Sequence, residues 1–235
     1  MTLLAIDTAT RSCSVGLLSR DRVLAEAHRA DGQTHSRHLM AMIDDVLAQC
    51  RSAICDLSAV AVTIGPGSFT GLRIGLATAK GLAVAADVPM VGVVTLEALA
   101  RQAAEPDAEM VCPLIDARKG EVYGGFFDPG TDGVPRMRGR LFVCPPERAL
   151  AKIERACLFI GDGALLYRER IRRGIGPLAR FAPEKDHVIR AATVGRMARQ
   201  TLEAGGGCDP GRLAPLYVRK SDAELRLGAP VAGFR

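Results

Sequence analysis

Asp7 stands at the end of an apolar run, Leu3-Leu4-Ala5-Ile6, and opens a polar turn, Thr8-Ala9-Thr10. A carboxylate so placed can hold water on a metal ion. The N–H groups and hydroxyls of the turn then face phosphates, and glycine lets the backbone come close. Ala9 occupies the place where such a turn most wants glycine. Two readings therefore fit: a degenerate phosphate loop, or an Asx-type turn with no ligand. Asp116 heads a second such turn, Asp116-Ala117-Arg118-Lys119-Gly120, and could answer Asp7 across a cleft. Ala117-Arg118 again replaces the compact glycine pattern, and Arg118 is placed to pair with Glu121 or meet a partner. Gly161 and Gly163, flanking Asp162, suit close approach of a base or ribose, and a helix-initiating turn has equal claim. Asp7, Thr10, Asp116, Gly161 and Gly163 are thus the candidates for a vestigial nucleotide cleft.

Gly65-Pro66-Gly67-Ser68-Phe69-Thr70-Gly71 could present N–H groups to an anion where a helix begins. It lacks the Gly-Lys-Ser/Thr of a phosphate-binding P-loop, and Pro66 removes a donor. A stiff loop that positions Phe69 fits equally well. Arg73 and Lys80, seven apart on that helix, face solvent, an anion or a partner, and with Arg118 they are the candidates for anion or RNA contact. His35 and His38 are three apart with no third ligand of suitable type near them, so no metal is expected. The seven cysteines are odd in number, scattered and without CxxC spacing, which fits reduced thiols. No order of Ser, His and Asp, or of Cys and His, makes a nucleophilic set.

The elements that must position these groups follow from periodicity. Residues 3–6, 13–19 and 23–28 read as a three-strand meander with hairpin connections. Leu39, Met42, Ile43, Val46, Leu47 and Cys50 recur at three and four, a helix over 36–50 that Thr34 or Ser36 can cap. A strand over 57–64 leads to a helix over 70–86 rich in glycine and alanine. Retaining interior glycines, each costing about 0.8–1 kcal/mol relative to alanine, implies close packing against that backbone. A strand over 88–93 and a helix over 96–104 follow. After a boundary near Glu105-Pro106-Asp107 the pattern restarts, with strands over 111–115 and 121–127 around the Asp116 turn. A Gly/Pro-rich loop over 128–135, a helix over 146–155, a strand over 157–160 and a helix over 164–173 come next. A last helix spans 189–203 before an extended piece, Pro215-Leu216-Tyr217-Val218-Arg219. The expected fold is α/β with two domains: 1–105 completed by the helix near 189–204, a smaller 106–188, and a tail over 205–235.

Of the 235 residues 48% are hydrophobic and 24% charged, which is globular content. The apolar opening is cut short by Asp7 and the run 76–94 is interrupted by Lys80, Asp87 and Pro89, so neither a secretory leader nor a membrane span is expected. A cytoplasmic protein fits. The net charge of +5 is compatible with RNA nearby. The basic runs at 136–140 and 168–173 read as solvated loop and helix faces, without interleaved aromatics to strengthen an RNA reading.

Four blocks in order carry a resemblance: Ile6-Asp7-Thr8-Ala9-Thr10; Gly65-Pro66-Gly67-Ser68-Phe69-Thr70-Gly71-Leu72-Arg73-Ile74-Gly75; Asp116-Ala117-Arg118-Lys119-Gly120-Glu121-Val122-Tyr123; and Pro215-Leu216-Tyr217-Val218-Arg219-Lys220. Together they resemble the bacterial TsaB (YeaZ) family of tRNA threonylcarbamoyladenosine biosynthesis proteins, within the glycoprotease-like, actin-like (ribonuclease H-like) superfamily. The resemblance implies an actin-like two-domain fold with a reduced second domain. It also implies a partner of TsaD, the transferase that threonylcarbamoylates N6 of adenosine-37 in tRNAs reading codons that begin with A. TsaE joins the larger complex, and a homodimer is implied for the chain alone. TsaD-type relatives carry a metal-binding His-Leu-Glu-Gly-His motif. The matching stretch here is Thr95-Leu96-Glu97-Ala98-Leu99, in which neither Thr95 nor Leu99 can replace a histidine ligand. No catalytic residue and no cofactor are therefore expected.

For the docking surface the same reading points to Leu39, Met42, Ile43 and Val46 beside the small-residue stripe Gly71, Gly75 and Ala79. The alternative is that both stripes pack on their own sheet. A nucleotide hydrolase or glycoprotease-like peptidase of the same superfamily, and a stand-alone RNA-binding module, are the rival functions.

Overall fold

The computed structural model describes residues 1–20, 22–30, 35–103, 108–130 and 132–219. Thr34 as a helix cap, the boundary at Glu105-Pro106-Asp107, Asp21, Lys220 and the tail beyond it lie outside the described residues.

Strands β1 (Thr2–Asp7), β2 (Cys13–Ser19) and β3 (Arg22–Arg29) form the expected antiparallel meander, with Leu4 opposite Leu17 and Asp7 opposite Ser14. Helix α1 (Leu39–Gln49) follows. Ser36 does not cap it: it lies in a 3-10 turn, and His38 stands at the N-cap with no side-chain bond. Strand β4 (Ala59–Gly65) returns parallel to β1. Helix α2 (Phe69–Ala86) is capped by Ser68, whose hydroxyl accepts from the Gly71 N–H at 3.3 Å. Strand β5 (Met90–Val94) pairs parallel to β4, and α3 (Thr95–Gln102) follows directly.

The second half repeats this plan. Strands β6 (Val111–Arg118), β7 (Glu121–Asp128) and β8 (Arg136–Cys144) make a second antiparallel meander. Helix α4 (Pro146–Leu150) precedes β9 (Cys157–Ile160), which lies parallel to β6. Helices α5 (Asp162–Leu166) and α6 (Arg168–Ile175) lead to β10 (Ala179–Phe181), parallel to β9. The sheets run β3-β2-β1-β4-β5 and β8-β7-β6-β9-β10, the same order twice. Helix α7 (Ala191–Glu203) then turns back to pack on β1 and β2.

Three apolar layers hold the sheets. Leu4, Ile6, Val15, Leu17, Val60 and Val62 meet α1 and α2 on one face of the first sheet. Leu3, Ala5, Ala59 and Ala61, alternate residues of the same strands, meet α3 and α7 on the other face. That layer runs on to Ile115, Phe127, Leu158 and Ile160, so the two sheets share it. Cys112, Leu114, Phe159 and Ile171 fill the outer layer of the second sheet.

Three sequence readings are corrected. The basic run 136–140 is the start of edge strand β8, where Arg136 pairs with Asp132 and Arg138 with Asp128, each at 3.2 Å. Its first five residues are all exposed, so no buried face marks them as a strand; pairing with β7 makes it one. Strand β10 is three residues long and carries no pattern to read. The helix expected over 164–173 breaks at Tyr167 into α5 and α6, and that over 146–155 stops at Leu150.

Candidate functional site

The turns after β1 and β6, the start of α2 and the start of α5 converge on a group of carboxylates. Asp7 is fully buried. Its Oδ1 accepts from the Thr63 hydroxyl at 2.7 Å and the Ala9 N–H at 3.2 Å, while Oδ2 is buried with no partner. Burial pushes its carboxyl up to about 7 against the lowering effect of those two bonds, and the charge of Asp162 adds to the rise. Asp162 is itself raised, first by burial and then by Asp116, although its Oδ1 accepts from the Asp116 N–H at 3.1 Å. Asp116 in turn accepts from the Arg118 N–H at 2.9 Å. Asp162 thus links the two aspartates singled out in the sequence. Its place between Gly161 and Gly163 is the one signal in the sequence that marks it.

The chain's own packing engages the hydroxyls of the first turn. The Thr8 hydroxyl donates to the Gly71 carbonyl at 2.8 Å, and the Ser68 N–H donates to the Ala9 carbonyl at 2.7 Å. Thr10 and Ser12 bond each other through their hydroxyls at 2.8 Å, and His35 Nε2 holds the Thr10 carbonyl at 2.8 Å. Glycines make this closure possible. A Cβ on Gly67 would lie 2.3 Å from the Ala9 oxygen, on Gly71 2.1 Å from the Thr8 oxygen, and on Gly75 2.1 Å from the Thr8 hydroxyl. The close approach expected of the small-residue helix is therefore to the first turn. Gly161, at φ +104°, and Gly163 likewise admit the β6 backbone: their Cβ atoms would lie 2.3 Å from the Leu114 oxygen and 2.8 Å from the Ile115 carbonyl carbon.

The expected docking stripe is corrected too. Leu39, Met42, Ile43 and Val46 are all buried in the layer between α1 and the first sheet, and Ala79 is buried beside them. Gly71 and Gly75 face Thr8. The outer faces of the two helices carry Met40, Ala41 and Asp44 on α1 and Ala77, Gly81 and Val84 on α2. Met40 is 47% and Val84 69% exposed.

Arg73 is exposed and leans on Tyr217 and its own helix. Its guanidinium lies 3.8 Å over the Phe69 ring, and its Nε donates to the Tyr217 hydroxyl at 3.3 Å. Phe69 and Tyr217 stack at 5.1 Å. Lys80 is partly exposed, and the Arg118 side chain is 62% exposed beside Asp116. Glu121 pairs with Arg219 at 3.0 Å, not with Arg118. The segment 213–219 is therefore a strap. Its Leu216 N–H donates to the Ile64 carbonyl at 2.7 Å, and Arg219 also donates to the Ala117 carbonyl at 3.3 Å, reaching both halves. Replacing Tyr217 by alanine is expected to cost about 1–2 kcal/mol, from the lost stack and hydrogen bond, and to speed tryptic cleavage at Arg212 and Arg219. Tyr217→Phe keeps the stack and should show less than half of the effect in the same thermal and proteolysis measurements.

Two repeated sheets with their first turns facing a shared carboxylate group define an actin-like α/β protein, and here the first turn is closed by the chain's own helix. The family model for TsaD, tRNA N6-adenosine threonylcarbamoyltransferase, matches residues 25–225. The tRNA threonylcarbamoyladenosine biosynthesis protein TsaB of Haemophilus influenzae is 32% identical over 93% of this chain and 94% of its own length. YeaZ from Pseudomonas aeruginosa superposes with a TM-score of 0.78 at 33% identity, over 92% of this chain and 99% of that one. An activator of 2-hydroxyisocaproyl-CoA dehydratase from Clostridium difficile shares the fold alone, at 10% identity and a TM-score of 0.53 over 87% of this chain and 97% of its own. The chain belongs to the TsaB (YeaZ) family and so to tRNA threonylcarbamoyladenosine biosynthesis. Thr95 and Leu99, which the resemblance aligns with the transferase histidines, are both fully buried. No helix among the described residues is long and apolar enough to cross a membrane.

Proposed function

We propose that this chain is a non-catalytic subunit that binds and activates a TsaD transferase for N6-threonylcarbamoylation of adenosine-37 in tRNAs reading codons that begin with A, in the cytoplasm. The observation that carries the reading is the closed first turn. Thr8, Ala9 and Thr10 spend their hydroxyls and carbonyls on Gly71, Ser68, Ser12 and His35, in the place where a working relative would hold phosphate. Buried Thr95 and Leu99 supply no metal ligand in place of the histidines.

The docking surface in this reading is the outer faces of α1 and α2, where Met40 and Val84 are large exposed apolar residues among small ones. The same faces would serve a homodimer when the partner is absent, with TsaE joining the larger complex. Residues 1–105 with α7 form the unit that docks. The test is tRNA threonylcarbamoylation reconstituted from threonylcarbamoyl-adenylate, tRNA, TsaD and this protein. Activity should require TsaD and rise on adding this chain, and Val84→Asp should reduce that rise about tenfold or more while leaving the melting curve unchanged. Transfer by this chain alone would overturn the reading and point back to Asp7 and its unpartnered oxygen. Indifference of TsaD to this chain would overturn it as well.

A further inference from the structure

A cavity of about 480 Å³ opens on the side of the molecule where α3 and α7 meet the β7–β8 hairpin. It is built from other residues than the carboxylate cleft, and the partner-subunit reading makes no use of it. Phe127, Val93, Met197 and Met137 give it apolar walls, and Glu97 and Arg101 of α3 give it two charges. Those two stand four apart, Glu first, the spacing and order that ordinarily produce an ion pair on a helix. Here they make none: among the described residues neither side chain has a hydrogen-bond or ion-pair partner, and Arg101 Nη1 is buried without an acceptor. Burial pushes the Glu97 carboxyl up, as it does for a carboxylate that has lost water without gaining a donor. Asp132, on the loop before β8, is near enough for its charge and that of Arg101 to act on each other. Leaving a buried donor and a half-buried carboxylate unsatisfied is costly, and in a concave site with apolar walls such groups are the ones that orient a ligand.

We propose that this cavity binds a small zwitterionic molecule with an apolar body, an apolar α-amino acid or dipeptide, with its ammonium against Glu97 and its carboxylate against Arg101. One ligand of that kind satisfies both side chains at once, whereas a simple anion or cation leaves one of them bare. The two methionines lend walls that adapt to an aliphatic side chain.

The test is a titration of the ¹⁵N-labelled full chain with L-leucine and with L-leucyl-L-leucine, followed by amide shifts. Saturable shifts clustered on α3, α7 and the start of β8 are expected for at least one of the two, and which one binds sets the ligand's length. N-acetyl-leucine, lacking the ammonium, and leucinamide, lacking the carboxylate, should each bind about tenfold more weakly. Glu97→Gln should weaken the zwitterion about tenfold yet leave N-acetyl-leucine unaffected, and Arg101→Gln should do the same with respect to leucinamide. Met137→Trp, at an exposed edge position that leaves both charges in place, should block binding in a chain with an otherwise unchanged spectrum. Absence of saturable shifts at these residues, or equal affinity for blocked and unblocked ligands, would overturn the proposal.

Discussion

Replacing Gly71 by valine is expected to lower the unfolding free energy by about 3 kcal/mol or more, seen as a large fall in the urea midpoint with little change in slope. The new Cβ would sit 2.1 Å from the Thr8 carbonyl oxygen, a backbone atom with no rotamer to escape into. Relief requires either moving the first turn off α2, with loss of the Thr8–Gly71 and Ser68–Ala9 hydrogen bonds, or bending the helix. Gly81 on the same helix is the control: nothing lies within 4 Å of its Cβ position. There alanine should stabilise by about 0.8–1 kcal/mol through helix propensity alone. Similar losses at both positions would show that glycine serves only the helix backbone and that the turn is not closed by contact. Gly75→Leu and Met42→Asp, attractive from the sequence as probes of docking, would on the same grounds damage the core before they reported on any partner.

Asp7→Asn is expected to stabilise the protein at pH 8 by several kcal/mol and to flatten its stability between pH 4 and 8 (about 2–4 kcal/mol, scaled from the carboxyl's displacement). The folded state holds the Asp7 proton more tightly than the unfolded chain does, the carboxyl standing at about 7 against an ordinary 3.8. Its favourable contribution is therefore complete below the ordinary value and is lost as pH rises through about 7. Asparagine keeps an acceptor for Thr63 and Ala9 and cannot ionise, so it imitates the protonated form at every pH. Asp162 is raised in the same direction, and some pH dependence of the same sign should survive in the variant. Chemical denaturation of both proteins at pH 5 and pH 8 measures the difference. A variant weaker than the parent at pH 8 would mean that the ionised Asp7 is held by a favourable partner.

The strands and helices of the first half are legible from apolar runs and, in α1, from a clear period. Leu3 to Ile6 alternate between two buried layers, and Leu39 to Leu47 repeat at three and four. Strands β2 and β9 fall at the residues expected for them. What a period cannot tell is which side of an amphipathic helix meets its own sheet and which is left for others. The apolar stripe of α1 fits an outward docking face or the chain's own sheet equally on its period, and it is buried on the sheet, since the hydrophobic effect fills the nearest core first. The glycines of α2 announced a close neighbour without saying which. That neighbour, Thr8, is more than sixty residues away in the chain. Strand β8 was hidden by its arginines, and the strap by the distance between Tyr217 and Phe69, whose attraction no local pattern records.

The return of α7 to β1 and β2 has a consequence for how the protein is made. Strands β1 and β2, made long before α7, carry Leu3, Ala5 and Leu18 on the face that α7 and α3 cover, and α7 begins at residue 191. Until then that face has only part of its cover, so the nascent first half carries a sticky apolar surface through most of translation. Native assembly waits for a helix that nearly the whole of the chain must precede. A release that truncates the chain before residue 191 would leave an aggregation-prone fragment, whereas one after the strap would leave a chain able to close.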